Sequence, residues 1–144
     1  MQATSGPFLF PFAGIVLVLL AGCATAPSGG SAASGFEQAR TVIEASCVHC
    51  HGSRRLAGMP SFASSEDLAA LTGPGRIIVP GAPEESRFFQ VVIMSDSEIG
   101  AMPPTGHALT PREVAVLKAW IAGGAELPAE NVALTPHGLA PRSR

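Results

Sequence analysis

The stretch Cys47-Val48-His49-Cys50-His51 decides how the rest of the chain is interpreted. Two cysteines separated by two residues, with a histidine directly after the second, form the pattern of covalent haem attachment. In this pattern the sulfurs of Cys47 and Cys50 bond to the two vinyl groups of the porphyrin, and the imidazole of His51 binds the iron. If the segment is helical, the three side chains leave one face, because residues three and four apart are neighbours on a helix surface. The sequence therefore predicts one covalent haem c at this face.

Two other interpretations of the cysteine pair fit the sequence less well. A thioredoxin-like redox motif normally follows a strand in a βαβ unit, and no strand is predicted before Cys47. A structural zinc site needs four Cys or His ligands at paired spacings, and neither His107 nor His137 has a partner at such a spacing. His49, inside the motif, is predicted to lie away from the attachment face, in solvent.

The length and charge of the chain limit the number of domains and the classes of binding partner that it can have. The chain has 144 residues, which is enough for one small domain with appendages. Its formal net charge is −2, and charged residues make up 14% of the chain, so a basic nucleic-acid-binding surface is not indicated. If Cys47 and Cys50 hold haem, then Cys23 is an odd third thiol, which needs a cap in an oxidising compartment.

The N-terminal segment predicts export. An apolar run from Phe8 to Leu20 is too short to span a membrane and has the length of the h-region of an export signal. It leads into Leu20-Ala21-Gly22-Cys23, which resembles the lipobox of bacterial lipoproteins, where cleavage precedes a cysteine that then takes acyl chains. We expect a signal peptide over residues 1–22, then a lipidated Cys23 and a flexible Gly/Ser linker over residues 23–35.

Two features depart from a typical export signal. No Lys or Arg precedes Phe8, and Pro11 interrupts the apolar run. A plain signal peptide and an uncleaved anchor therefore stay open as alternatives. The expected location is extracytoplasmic, with a lipid anchor on the periplasmic side of a bacterial membrane.

Helix signals divide the folded part of the chain. Ser34 and Glu37 form a capping-box pattern that predicts the start of a first helix. Its apolar positions recur at helical spacing: Phe36, Ala39, Val42, Ile43 and Cys47. The same spacing places Glu37, Arg40 and Glu44 on the solvent side. Gly52 is expected to let the chain turn away directly after His51.

Three further helices are predicted downstream. A short one opens at Ser64, and another begins at Pro83 and runs to about Met94. Between them, the apolar run Ile77 to Val79 has no partner strand and predicts a buried extended loop. A second capping box, Thr110 with Glu113, predicts a helix from Pro111 to Ala122. The residues of this helix predicted to face the core are Val114, Ala115, Leu117, Trp120 and Ile121.

Met102 is the predicted second iron ligand. Pro103 and Pro104 follow it, and their locked backbone would hold the thioether in place. His107 is the next candidate, and Met94 is expected in the core. Met59 is too near His51 in sequence to reach the opposite face of the porphyrin. Arg54 and Arg55 are candidates for the haem propionates, although adjacent arginines in a loop are more often simply solvated.

Three segments together resemble a known family. SCVHCHG (46–52), IIVPGAPEESRF (77–88) and MPPTGHALTPREVAVLKAWIAGGA (102–125) occur in the order found in class I cytochromes c, and specifically in the cytochrome c domain of planctomycetes and related bacteria. The resemblance covers residues 36–127 and leaves 128–144 as a Pro-containing C-terminal tail, expected to be extended or disordered. In place of the family's glycine-rich segment after the motif, this chain has the charged SRRLAGM (53–59).

The resemblance implies an all-α fold, a small helical domain wrapped around one covalent haem. Cys47 and Cys50 would be the thioether sites, His51 the proximal ligand and Met102 the distal ligand. The first and last helices would cross near the porphyrin, with Ala115 and Ala119 allowing a close approach.

The expected function is electron transfer. His/Met ligation leaves no open coordination site, and the thioether favours ferrous iron, which suits a carrier better than an enzyme. We expect a membrane-tethered monohaem cytochrome c that passes single electrons between extracytoplasmic redox protein partners, with no nucleic acid and no small-molecule substrate. The alternatives are a gas-binding sensor or peroxidase-like enzyme with a displaceable distal ligand, and a haem-containing accessory subunit of a larger membrane complex.

Overall fold

The computed structural model describes residues 30–104 and 106–138. The predicted signal peptide, Cys23 with its lipidation, the first part of the linker and residues 139–144 of the tail lie outside these residues. The described part contains five α-helices and one 3₁₀ helix, and no strand. They are α1 (Gly30–Ser46), α2 (Val48–His51), α3 (Ser65–Ala70), the 3₁₀ helix (Pro83–Glu85), α4 (Arg87–Ile93) and α5 (Pro111–Ala122). The predicted all-α class is confirmed.

Helices α1 and α5 pack against each other and form the centre of the core. All five apolar positions predicted for the first helix are buried. From α5, the buried side chains are Leu117, Trp120 and Ile121. Ala115 and Ala119, by contrast, are exposed, so the prediction that these alanines let the two helices approach was wrong. The large side chains of α5 bury more apolar area than alanines could, and they turn this face inward.

Helix α1 begins at Gly30, four residues before the predicted cap at Ser34. Residues 30–35, predicted as the end of the flexible linker, are therefore helical. Once a helix is nucleated and anchored by buried side chains such as Phe36 and Ala39, adding residues at its end costs little free energy.

The C-terminal tail packs on the domain, so the predicted boundary at residue 127 was too early. The Ser65 N–H donates to the Val132 carbonyl at 2.8 Å, and the Leu134 N–H donates to the Ala63 carbonyl at 2.9 Å. The Leu134 side chain is buried in the core. These bonds satisfy backbone groups of an extended segment that has no helix or sheet of its own. The ordered domain therefore extends at least to residue 138.

The tail also changes the surroundings of two residues predicted to be solvated. Glu44 is buried, and its carboxylate accepts the Thr135 N–H at 3.0 Å and the Arg40 Nε–H at 3.1 Å. The side chain of His49 is half-buried, with Nε2 3.1 Å from the His137 carbonyl. The face of α1 opposite α5 is thus covered by the chain's own C-terminal segment, which is why both predictions were wrong.

The segment predicted as one helix from Pro83 to Met94 is divided in two. Ser86 separates the 3₁₀ helix from α4 and has an extended backbone. Its fully buried hydroxyl accepts the Val79 N–H at 2.8 Å and donates to the Ala82 carbonyl at 3.0 Å. Because Ser86 bonds back to the preceding loop, the helix cannot run through it. The loop itself has no strand, and Ile78 is fully buried, as predicted.

The predicted caps of α3 and α5 are confirmed. The Ser64 hydroxyl accepts the Asp67 N–H at 3.1 Å at the start of α3. At the start of α5, Thr110 and Glu113 form the reciprocal capping box, and this helix has the predicted bounds. Such local hydrogen bonds satisfy amide groups that the first turn of a helix leaves unpaired.

Candidate haem-binding site

A cavity of about 340 Å³ lies between α2, α4 and two loops, and its lining is predominantly apolar. The predicted site residues Cys47, Cys50, His51 and Met102 all line it. The other lining residues are Ser46, Met59, Pro60, Phe62, Ile77, Arg87, Phe88, Val91, Val92, Gly100, Pro103 and Pro104. The fold therefore brings the attachment motif and Met102, which are distant in sequence, to the same cavity.

The attachment motif lies at an interruption between α1 and α2. Cys47 has φ −116° and ψ −44°, and its N–H still donates to the Ile43 carbonyl at 2.8 Å. The N–H groups of Cys50 and His51 both donate to the Cys47 carbonyl, at 3.1 and 2.9 Å. The helical relation among the three residues is thus kept across the interruption, which explains why their side chains reach one cavity.

The two cysteines are free thiols in different surroundings. Cys47 is buried and Cys50 is exposed. Burial, followed by the nearby Cys50, raises the pKa of the Cys47 thiol to about 12. Cys47 therefore carries its proton at neutral pH.

His51 is buried and held in a fixed orientation. Its Nδ1 lies 3.1 Å from the Pro60 carbonyl, and since a carbonyl only accepts, Nδ1 carries the hydrogen. The lone pair of Nε2 is then the one available to a metal. The Phe62 ring stacks on the imidazole with centroids 4.9 Å apart, and the Phe62 N–H donates to the His51 carbonyl at 2.7 Å. A backbone acceptor on the second ring nitrogen orients a ligating histidine and strengthens it as a donor.

Gly52 is required where the chain leaves α2. A Cβ atom at this position would lie 2.5 Å from the Val48 carbonyl oxygen, which is closer than real Cβ contacts come. The chain can therefore pass this close to the helix directly after His51 only because residue 52 has no side chain.

Met102 is placed by its backbone and its neighbours. Its N–H donates to the Val91 carbonyl of α4 at 2.9 Å, and its side chain is half-buried. Pro103 is buried and Pro104 exposed, and both line the cavity with it. Met59 lines the same cavity, so the structure offers a second thioether that the sequence had placed out of reach.

Other candidates lie away from the cavity lining. His107, the runner-up ligand, and Met94 are not among the residues that line it. Neither are Arg54 and Arg55, and the Nε–H of Arg55 donates to the Met59 carbonyl at 3.0 Å.

The cavity suits a haem. A porphyrin is a large apolar plate, and the lining offers it aromatic and aliphatic side chains, two thiols, one imidazole nitrogen and thioether sulfur. Within the described part of the chain, no three His, Cys, Asp or Glu side chains cluster as ligands of a bare metal ion would.

Comparison with known proteins agrees with this site. Residues 47–106 match the family model described as Planctomycete cytochrome C. Over these residues the chain is similar to planctomycete-type cytochrome c domains. The match starts at the first cysteine of the motif and ends just past the Met102 loop, so it spans both groups of predicted site residues. No curated protein and no solved structure matches the chain. Cytochrome c domains in general hold haem covalently and carry electrons rather than catalyse reactions.

Several residues that line the cavity could not be identified from the sequence. Phe62, Phe88 and Val91 had no signal beyond their apolar character, which equally predicts ordinary core positions. Pro60 contributes only its backbone carbonyl, so no residue-type pattern could identify it. Nothing in the sequence marked Arg87 as a cavity residue, because it lies within the segment that was predicted to form one continuous helix.

Proposed function

We propose that this cytochrome c domain binds one haem through Cys47 and Cys50, with His51 and Met102 as the two axial ligands of the iron. The protein then passes single electrons between redox proteins outside the cytoplasm. The observation that carries this proposal is that all four side chains line one apolar cavity, although Met102 is far from the motif in sequence.

The haem, when bound, supplies an iron that takes up and releases one electron. His51 presents Nε2, because Nδ1–H is held by the Pro60 carbonyl. Met102 presents a soft sulfur, which favours ferrous iron and raises the reduction potential. If His51 and Met102 both bound the iron, no coordination site would be left for a substrate. This arrangement supports outer-sphere electron transfer rather than catalysis.

The optical spectrum of the protein with haem attached tests the ligation. Ferric iron bound by methionine sulfur gives a weak long-wavelength absorption band. We expect this band in the wild type and in Met59→Ala, a matched control because Met59 lines the same cavity, and its loss in Met102→Ala. Loss in Met59→Ala instead would identify the other thioether as the ligand. A wild type that lacks the band, or that binds CO when reduced, would favour the gas sensor or enzyme.

The membrane tether is proposed from the sequence alone. Supporting it are the apolar run before Leu20-Ala21-Gly22-Cys23 and the need to cap an odd thiol in an oxidising compartment. Among the described residues, no helix has both the length and the apolar character needed to cross a membrane. Metabolic labelling with a radioactive fatty acid should label the wild type but not Cys23→Ser. Equal labelling of the two proteins would refute lipidation at Cys23.

A further inference from the structure

Among the described residues that line the cavity, Arg87 is the one Arg, Lys, Asp or Glu. The remaining lining is apolar apart from Ser46, the two thiols and His51. A haem carries two propionate groups that are ionised at neutral pH. A carboxylate that loses hydration beside an apolar cavity needs a compensating charge or hydrogen bonds.

Helix α4 directs Arg87 toward this cavity. Four of its residues line the cavity: Arg87, Phe88, Val91 and Val92. Their spacing places them on one face of the helix. Phe88 and Val92 are buried and Arg87 is exposed, so the lining strip runs from the protein surface inward. Because the buried Ser86 fixes the start of α4, the position of Arg87 at the outer edge is fixed as well.

The other cations of the described residues are engaged or lie elsewhere. Arg40 pairs with Glu37 and Glu44, and Lys118 pairs with Glu84 at 2.6 Å. Within the described chain, the guanidinium groups with no hydrogen bond or ion pair are those of Arg54, Arg76, Arg87 and Arg112. Of these four, Arg87 alone lines the cavity.

We propose that Arg87 binds a propionate carboxylate of the haem, and so positions the porphyrin at the outer edge of the cavity. This inference rests on the proposed function, since it requires haem in this cavity. Arginine suits the role because its planar fork can donate two parallel hydrogen bonds to one carboxylate. It replaces the sequence-based suggestion of Arg54 and Arg55, which do not line the cavity.

The pairing has a consequence for electron transfer. A positive charge close to the porphyrin disfavours the ferric state, which carries one more positive charge than the ferrous state. Loss of the guanidinium should therefore lower the reduction potential. Lysine at position 87 keeps the charge but lacks the planar fork, so it separates the effect of charge from the effect of the hydrogen bonds.

The experiment uses full-length protein with covalent haem, verified by haem staining on a denaturing gel. We would record the resonance Raman propionate-bending band and the reduction potential of the wild type, Arg87→Gln, Arg87→Lys and Arg112→Gln. Arg112 is the matched control, because it is exposed and its side chain also makes no bond with the described residues.

We expect the band to move in both Arg87 variants and not in Arg112→Gln. The potential should fall in Arg87→Gln and stay closer to the wild type in Arg87→Lys. An unmoved band in Arg87→Gln overturns the proposal whatever the potential does, since a long-range charge alone would then explain the potential. Failure of the proposed function would appear separately, as absent haem staining or an absent methionine band in the wild type.

Discussion

Replacement of Ser86 by alanine tests how the wall of the proposed haem cavity is held. The Ser86 side chain is fully buried, and its hydroxyl accepts the Val79 N–H at 2.8 Å. The substitution removes one oxygen and adds no atoms, so it introduces no clash. The Ala82 carbonyl keeps a second donor, the Glu85 N–H at 3.2 Å, and therefore the main loss is the acceptor of the Val79 amide.

An amide left without an acceptor in a largely buried position costs about 1–3 kcal/mol. For a domain of this size, that cost corresponds to a fall of roughly 5–15 °C in the unfolding midpoint. Thermal unfolding of the ferric protein, followed by far-ultraviolet circular dichroism, measures it. Ser97→Ala is the control, because Ser97 is exposed and its hydroxyl lies only near that of Ser95, at 3.1 Å.

We expect Ser97→Ala to change the free energy of unfolding by less than about 0.5 kcal/mol. If Ser86→Ala proved as stable as Ser97→Ala, the buried hydroxyl would not be what divides the 3₁₀ helix from α4, and the reasoning about this turn would be wrong.

Three further predictions concern the tail and the motif. Glu44→Ala should lower the free energy of unfolding by about 1–3 kcal/mol, because a buried carboxylate that binds the tail is lost. Glu37 is exposed, so Glu37→Ala should have little effect on the free energy of unfolding. Chemical denaturation of the two variants measures the difference. Gly52→Ala should reduce the yield of protein with covalent haem, because its Cβ would meet a backbone carbonyl at 2.5 Å; unchanged haem staining would contradict this. In haem-free protein at neutral pH, iodoacetamide should modify the exposed Cys50 well before Cys47, because the raised pKa of Cys47, about 12, keeps its thiol protonated. A peptide-mapping time course measures the two rates of modification. Equal rates would show that Cys47 is not buried.

The raised pKa of Cys47 also makes the stability of the haem-free protein depend on pH. The pKa of the Cys47 thiol is higher in the folded protein than its ordinary value of 9.0. Below about pH 9 the thiol is protonated in both the folded and the unfolded state, and its contribution to the free energy of unfolding is fully present. Between about pH 9 and about pH 12 the thiol ionises more readily in the unfolded state, so this contribution is lost as the pH rises through that range. With the sulfur bonded to haem, no proton is left to titrate and the effect should vanish.

Features that depend on neighbours in the sequence could be predicted. The capping box of Thr110 and Glu113 is a hydrogen-bond pattern within four residues, and the helix it opens has the predicted bounds. The apolar spacing from Phe36 to Cys47 likewise identifies the buried face of α1. In both cases the local pattern contains the physical cause of the structure.

Features that depend on distant segments could not be predicted. Glu44 is on the side of α1 away from α5, as its spacing indicates, but Thr135 and the rest of the tail cover that side. The tail has no periodicity, and its order comes from hydrogen bonds to α1, α3 and Ala63, which no local pattern encodes. Arg87 was missed for a related reason, because only the tertiary bond from Ser86 to Val79 shows where α4 begins.

Helix α4 connects the predictions about stability with those about the iron. It starts directly after Ser86, presents Arg87 to the outer edge of the cavity, and accepts the Met102 N–H at the Val91 carbonyl at 2.9 Å. A shift of α4 would therefore move the proposed distal ligand and the proposed propionate partner together. If Ser86→Ala only removes one buried hydrogen bond, the unfolding midpoint should fall while the methionine band stays. If the band also weakens, the hydroxyl of Ser86 holds α4 in the position that ligation by Met102 requires.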